Sequence, residues 1–308
     1  MTADRPRNLP ASVHDRLLAL ARESHRPFNE LLQYFAMERF LFRMGRSRHA
    51  ARFVLKGGLM LLAWRAPLSR PTKDIDVLAA LDNDVQVVEN VVRDVCVEAV
   101  EPDGMIFDPA SVSGKVIVEH ADYPGVRVRL LGFLGSARMT LQLDVGFDDV
   151  IIPGPSGLDY PTLLTDFLAP AIIGYSRESV IAEKFHAMVR LGRLNSRMND
   201  FFDLWLLARQ FEFEGQVVAE AISTTFARRH TDIPAQPAVF ETAFPTYPGK
   251  AEQWRSYLKR NSIEGALSDF ADVTTYIRAF LEPITSALVR ESSFGRRWKA
   301  PGPWRRST

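Results

Sequence analysis

Cysteine is almost absent from the sequence: Cys96 stands alone among 308 residues. A single thiol excludes an internal disulfide and any multi-cysteine zinc site, and a reducing cytoplasm is its simplest home. Lysine is scarce too. Only Lys56, Lys73, Lys115, Lys184, Lys250, Lys259 and Lys299 interrupt an otherwise arginine-based set of cations. The guanidinium fork suits phosphate, but gene base composition gives the same bias, so the excess alone assigns no partner. No apolar run approaches the roughly 18–20 residues of a membrane span. The opening MTADRPRNLP lacks the apolar core of a secretory signal. No charge sign dominates, since the formal net charge is only +1. What remains is ordinary globular usage, 46% hydrophobic and 24% charged, in a chain long enough for one large domain or two modest ones.

Periodicity divides the chain into a mixed half and a helical half. Residues 12–43 read as helical, with Ser12 as N-cap and Pro27 splitting the stretch in two. FVLKGGLMLLAW follows as a strand or helix end, a Gly57-Gly58 pair, and a helix from Leu59. Pro67 and Pro71 bracket a loop into DIDVLA, which reads as a strand. Residues 84–100 are expected to be helical. The period then changes to two over 115–119, 126–134 and 139–147, with GSAR at 135–138 turning a hairpin. IIPGPSGLDYP, at 151–161, reads as a linker. Helices are expected over 176–192, 199–211, 215–228 and 263–290. The tail ESSFGRRWKAPGPWRRST is basic and aromatic; packing and nucleic-acid contact are equally good readings of it. The fold class expected is α+β, a mixed-sheet core followed by a helical bundle. The corresponding domains are 1–160 and 161–308.

Several polar residues sit where apolar ones belong. Asp74 and Asp76, two apart on a strand, share one face, with Ile75 and Val77 on the other. Paired carboxylates repel unless a cation lies between them, and Mg²⁺ takes one or two carboxylates together with substrate phosphates. Asp144 interrupts LQLDVGF on the face opposite Leu141, Leu143 and Val145, as a third acid of a two-metal site or an exposed residue of a wet strand face. Gly57-Gly58 opens a helix, where free N–H groups meet phosphate, yet GxxxxGK[ST] is absent. Lys184 has mostly apolar neighbours at helical spacing, so it either snorkels or aims at a polyphosphate. Asp200 and Asp203 share a helix face, and Arg197 is spaced to pair with Asp200. His186 reads as structural.

Taken in order, LKGG, RPTKDIDVLA, LQLDVGF, ESVIAEKFHAMV and NSRMNDFFDLW resemble the successive motifs of the AbiEii/AbiGii-type toxin nucleotidyltransferases. That family lies within the DNA polymerase β-like superfamily and includes the mycobacterial MenT toxins. The resemblance runs from about Lys56 to Trp205, and W-x-x-P-G-x-W at Trp298 to Trp304 is also family-like. It implies a polymerase β-like core, with a helical domain completing the active-site cleft. It implies Asp74, Asp76 and Asp144 as metal ligands, with Mg²⁺ or Mn²⁺ as the ion. It implies Lys184 and Asp200 as further catalytic residues. Gly57, Gly58, Lys73, Lys184, Arg197 and Asp203 would bind the nucleotide. Gly57-Gly58 stands where the superfamily usually has Gly-Ser, although Gly-Gly occurs within this toxin group; Asn199 and Phe202 stand where related toxins often carry a basic residue and a tyrosine, so a charge and a hydroxyl are absent. The implied reaction transfers NMP from an NTP to an acceptor, by kinship a tRNA 3′ end, which blocks translation. A cognate antitoxin is implied as partner, and Thr72 is the hydroxyl matching a regulatory phosphosite. A small-molecule or protein acceptor is the alternative, and a non-catalytic nucleotide-binding module a further one.

Overall fold

A computed structural model describes residues 8–66, 70–119 and 123–306. Pro67, one side of the expected loop, lies outside them. The chain divides into two compact units. One comprises Met1–Arg65, Pro71–Asp148 and Ser156–Gly174; the other comprises Ala66–Arg70, Asp149–Pro155 and Tyr175–Thr308.

The first unit opens with two helices, α1 (Leu9–Glu23) and α2 (Phe28–Arg46). The break at Pro27 is where the sequence placed it, because proline fixes its own φ and cannot donate to a helical ladder. The expected cap Ser12 is displaced: Asn8 caps α1, its side chain accepting from Ala11 N–H at 3.2 Å. Then come β1 (Phe53–Lys56), the five-residue α3 (Leu59–Ala63), β2 (Asp74–Ala79) and α4 (Val85–Cys96), the last capped by Asp84. Three long strands follow, β3 (Met105–Glu119), β4 (Tyr123–Leu134) and β5 (Ala137–Gly146), then the short β6 (Ser156–Asp159) and β7 (Ala171–Gly174).

These strands form one mixed sheet in the order β3-β4-β5-β2-β1-β7-β6. The β2–β5 and β1–β7 pairs are parallel and the other pairs antiparallel. Alternation on β2 buries Ile75, Val77 and Ala79 and turns Asp74 and Asp76 to the other face. Val88, Val92, Phe35, Phe40, Leu141 and Leu143 are buried in the same unit. The expected hairpin turn is tight, with Leu134 paired to Ala137 across Gly135 at φ +59°. The expected linker 151–161 is only partly one, because 156–159 pairs with β7.

The second unit is mainly helical: α5 (Arg177–Leu191), α6 (Met198–Gln210), α7 (Gly215–Arg228), α8 (Lys250–Arg260) and α9 (Phe270–Val289). α8 was not expected, and α9 starts seven residues later than 263, at the Asp269 cap. Three short strands, β8 (Phe213–Glu214), β9 (Arg296–Trp298) and β10 (Trp304–Arg306), form a second sheet. The tail thus packs. Trp298 donates Nε1–H to the Ala208 carbonyl at 2.6 Å and Trp304 to that of Phe280 at 2.8 Å. Among the described residues no helix is long and apolar enough to cross a membrane.

Candidate active site

Strand register brings several charged residues of the first unit to one face of the sheet. β1 sets Lys56 opposite Asp76. β5 sets Gln142 beside Asp74 and Asp144 beside Asp76. β4 sets Arg127 opposite Asp144 and Arg129 opposite Gln142. Directly paired residues share a face, so one level of the sheet reads Lys56, Asp76, Asp144, Arg127 across four strands. The next level reads Asp74, Gln142, Arg129.

Asp144 sits on β5 at the register position beside Asp76. Its carboxylate is 5% exposed and receives two hydrogen bonds from Arg127, Nε to Oδ1 at 2.7 Å and Nη2 to Oδ2 at 2.6 Å. It is therefore not an exposed residue of a wet strand face. Among the described residues no three His, Cys, Asp or Glu side chains are arranged to hold a metal ion. Gln142 lies between the acids, donating to Asp74 Oδ2 at 3.3 Å and Asp144 Oδ2 at 3.4 Å. Arg127 was missed in the sequence. Its one signal was VRVRLL, where Arg127 and Arg129 alternate with buried valines.

Asp74 and Asp76 do fit a hard divalent cation, which needs few protein ligands when phosphate oxygens and water complete its shell. Gly57 adds a reason why no side chain stands there: it lies at φ +69°, and a Cβ would come 2.6 Å from the Asp76 Cγ. Thr72 donates its backbone N–H to the Tyr34 hydroxyl at 2.9 Å, and Lys73 is exposed.

The second unit assembles the other expected residues. Lys184 Nζ, on α5, lies 2.9 Å from Asp200 Oδ1 and 2.8 Å from Asp203 Oδ2, both on α6. Arg197 Nε lies 2.9 Å from Asp200 Oδ2, the expected i,i+3 pair. Arg70, which the sequence did not single out, binds both Asp203 oxygens at 2.8 and 3.0 Å. Both acids are buried. Burial works against the charge on Lys184, but Asp200 and Asp203 outweigh it and hold the ammonium above the usual lysine range. Burial likewise favours neutral Asp203, yet Arg70 and Lys184 prevail and hold its carboxyl below the usual range. Lys184 is thus a fixed cation rather than a snorkelling one. His186 is buried, 3.0 Å from the Thr231 hydroxyl.

A search of curated proteins finds no match. Two crystal structures from Helicobacter pylori are similar at 15% identity. One is of JHP933, with TM-score 0.49 over 85% of this chain and 94% of that one. The other is of a candidate nucleotidyltransferase, with TM-score 0.44 over 86% and 99%. A family model described as nucleotidyl transferase AbiEii toxin, type IV toxin–antitoxin system, matches residues 39–276. That span takes in β1 through most of α9, and with it Asp74, Asp76, Asp144, Lys184, Asp200 and Asp203 in the order their motifs had suggested, so the chain belongs to the AbiEii nucleotidyltransferase toxins.

Proposed function

We propose that this nucleotidyltransferase moves NMP from an NTP to the 3′ end of tRNA, with Mg²⁺ or Mn²⁺ bound at Asp74 and Asp76, and thereby blocks translation. The observation that carries the reading is the pair of carboxylates on the open face of β2 beside the side-chain-free Gly57. An ion held by Asp74 and Asp76 would supply positive charge to the transferring phosphoryl group. Asp74 and Asp76 would hold it, and Gly57 and Gly58 would let the phosphates approach the main chain. The acceptor hydroxyl forms a new P–O bond to the α-phosphorus as the bond to the bridging oxygen breaks and pyrophosphate leaves. Catalysis is positioning and charge stabilisation, without a covalent enzyme intermediate. Lys184, Asp200, Asp203, Arg197 and Lys73 enter the proposal as nucleotide-side residues, on the order of motifs. Residues 1–160 supply the nucleotidyltransferase core in this reading, and 161–308 the helical domain.

A cognate antitoxin completes the system, and phosphorylation of Thr72 would place two negative charges next to Asp74, against metal and triphosphate alike. The test is incubation with each labelled NTP, Mg²⁺ and total tRNA. Label is expected in RNA, and neither Asp76→Ala nor Lys184→Ala should transfer it or arrest growth. Label in a small molecule or protein instead of RNA removes the tRNA assignment; label nowhere, with toxicity intact in Asp76→Ala, removes catalysis.

A further inference from the structure

The first residue of α8 is a cation where the fold favours none. Lys250 is buried, stands in the first turn of a helix, and pairs with no carboxylate among the described residues. Burial strips water from the ammonium group, and a helix N-terminus presents positive potential rather than negative. Desolvation holds its pKa below the usual lysine range. The Phe244 ring, 5.0 Å from Nζ, offsets part of this. A methionine of similar length would fill the space without the penalty. We propose that Lys250 is a positioning residue for the nucleotide side of the site, retained although it destabilises the fold, because it fixes the turn that sets Arg197 against Asp200. The inference rests on the reading that Arg197 and Asp200 serve the nucleotide.

The contacts can be followed residue by residue. The Lys250 ammonium donates to the main-chain carbonyl of Asn195, which lies between the short helical turn Gly192–Leu194 and α6. Asn195 is fully buried, and its Oδ1 accepts from Arg197 N–H at 2.8 Å. Its side-chain nitrogen finds no acceptor among the described residues. Arg197 is the N-cap residue of α6, and its Nε lies 2.9 Å from Asp200 Oδ2. That oxygen is buried and has no hydrogen bond of good geometry among the described residues, so the nearby guanidinium is what balances its charge. The other oxygen, Oδ1, lies 2.9 Å from Lys184 Nζ. A path thus runs from Lys250 through Asn195 and Arg197 to Asp200 and Lys184, all within the second unit.

The turn has little else to hold it. Leu194 is 89% exposed, and Gly192, at φ +49°, has nothing within 4 Å of where a Cβ would stand. A segment with so few packed contacts opens readily. The Arg197 side chain is 39% exposed, so burial alone does not aim it. A buried ammonium drawing on the Asn195 carbonyl supplies the missing restraint from the inner side.

The experiment uses the full chain and two readouts, melting temperature and NTP affinity by equilibrium dialysis. The variants are Lys250→Met, Asn195→Ala, Arg197→Ala, and Arg197→Ala combined with each of the others. Lys250→Met is expected to melt no lower than wild type, because an apolar side chain replaces a buried unpaired charge. It is expected to bind NTP about tenfold more weakly, the effect of one misplaced charged hydrogen bond. Asn195→Ala is expected to weaken NTP binding to a similar degree. In the Arg197→Ala background neither should weaken it further, because both act through that guanidinium. Wild-type NTP affinity in Lys250→Met overturns the proposal, as does a loss that adds in full to that of Arg197→Ala. A lowered melting temperature in Lys250→Met also overturns it, since the lysine then serves the fold. Wild-type affinity in Arg197→Ala removes the nucleotide reading of Arg197, and the proposal with it.

Discussion

Glu38 and Gly57 show how single residues carry cost in this molecule. Glu38 is buried on α2, 2.7 Å from Arg39, and accepts from Leu163 N–H. Burial dominates over Arg39 and raises its pKa from 4.5 to about 7. Between those values the folded chain keeps a proton that the unfolded chain has released. The stabilising contribution is therefore complete below pH 4.5 and lost as pH rises through 7, about 3 kcal/mol in all. Denaturant titrations at pH 5 and 7.5 should show the decline, and Glu38→Gln should flatten it. Gly57 sits in left-handed backbone against Asp76. Gly57→Ala should cost about 1–2 kcal/mol of backbone strain, and by pushing Asp76 aside it should abolish transfer in a protein that still melts cooperatively. Asp74 and Asp76 were legible because a two-residue period fixes their shared face within one strand. Arg127 and Arg70 were not, since their partners lie 17 and 133 residues away and only tertiary pairing names them.

Elements were read best where apolar residues recur without interruption, as in α2, α4 and α5. β3 was recognised only over 115–119, because Pro109, Ser111 and Gly114 break its alternation and its register shifts between Asp108 and Ser113. A proline is tolerated there because β3 is an edge strand. α8 escaped notice because KAEQWRSYLKR is polar, burying only Lys250, Trp254 and Tyr257. The expected helix from 263 ran through Gly265, which lies at φ +79°. The tail gave no periodic signal, yet Trp298 stacks edge-on against Phe280 and Trp304 and pairs with Phe213 across β8. Trp298→Ala should therefore cost about 3–5 kcal/mol, seen as a lowered melting temperature. A tail that served only as a loose basic arm would show no such change.

At the scale of the molecule the motif order carried more than any motif did. Asp-x-Asp, a glycine pair and a helical lysine are each common. All three lie within the family match over residues 39–276. The chain's path was not legible, because periodicity records each element's faces and not which distant strand it joins. β1 ends at Lys56, yet its parallel neighbour β7 begins at Ala171. That long closure has a consequence during synthesis. Until residue 174 has left the ribosome, β1 has nothing on its far side and the sheet stops there with an open edge. The ion pairs of Lys184 with Asp200 and Asp203 come later still. A chain cut short before residue 171 therefore lacks β7 and leaves β1 without its parallel neighbour.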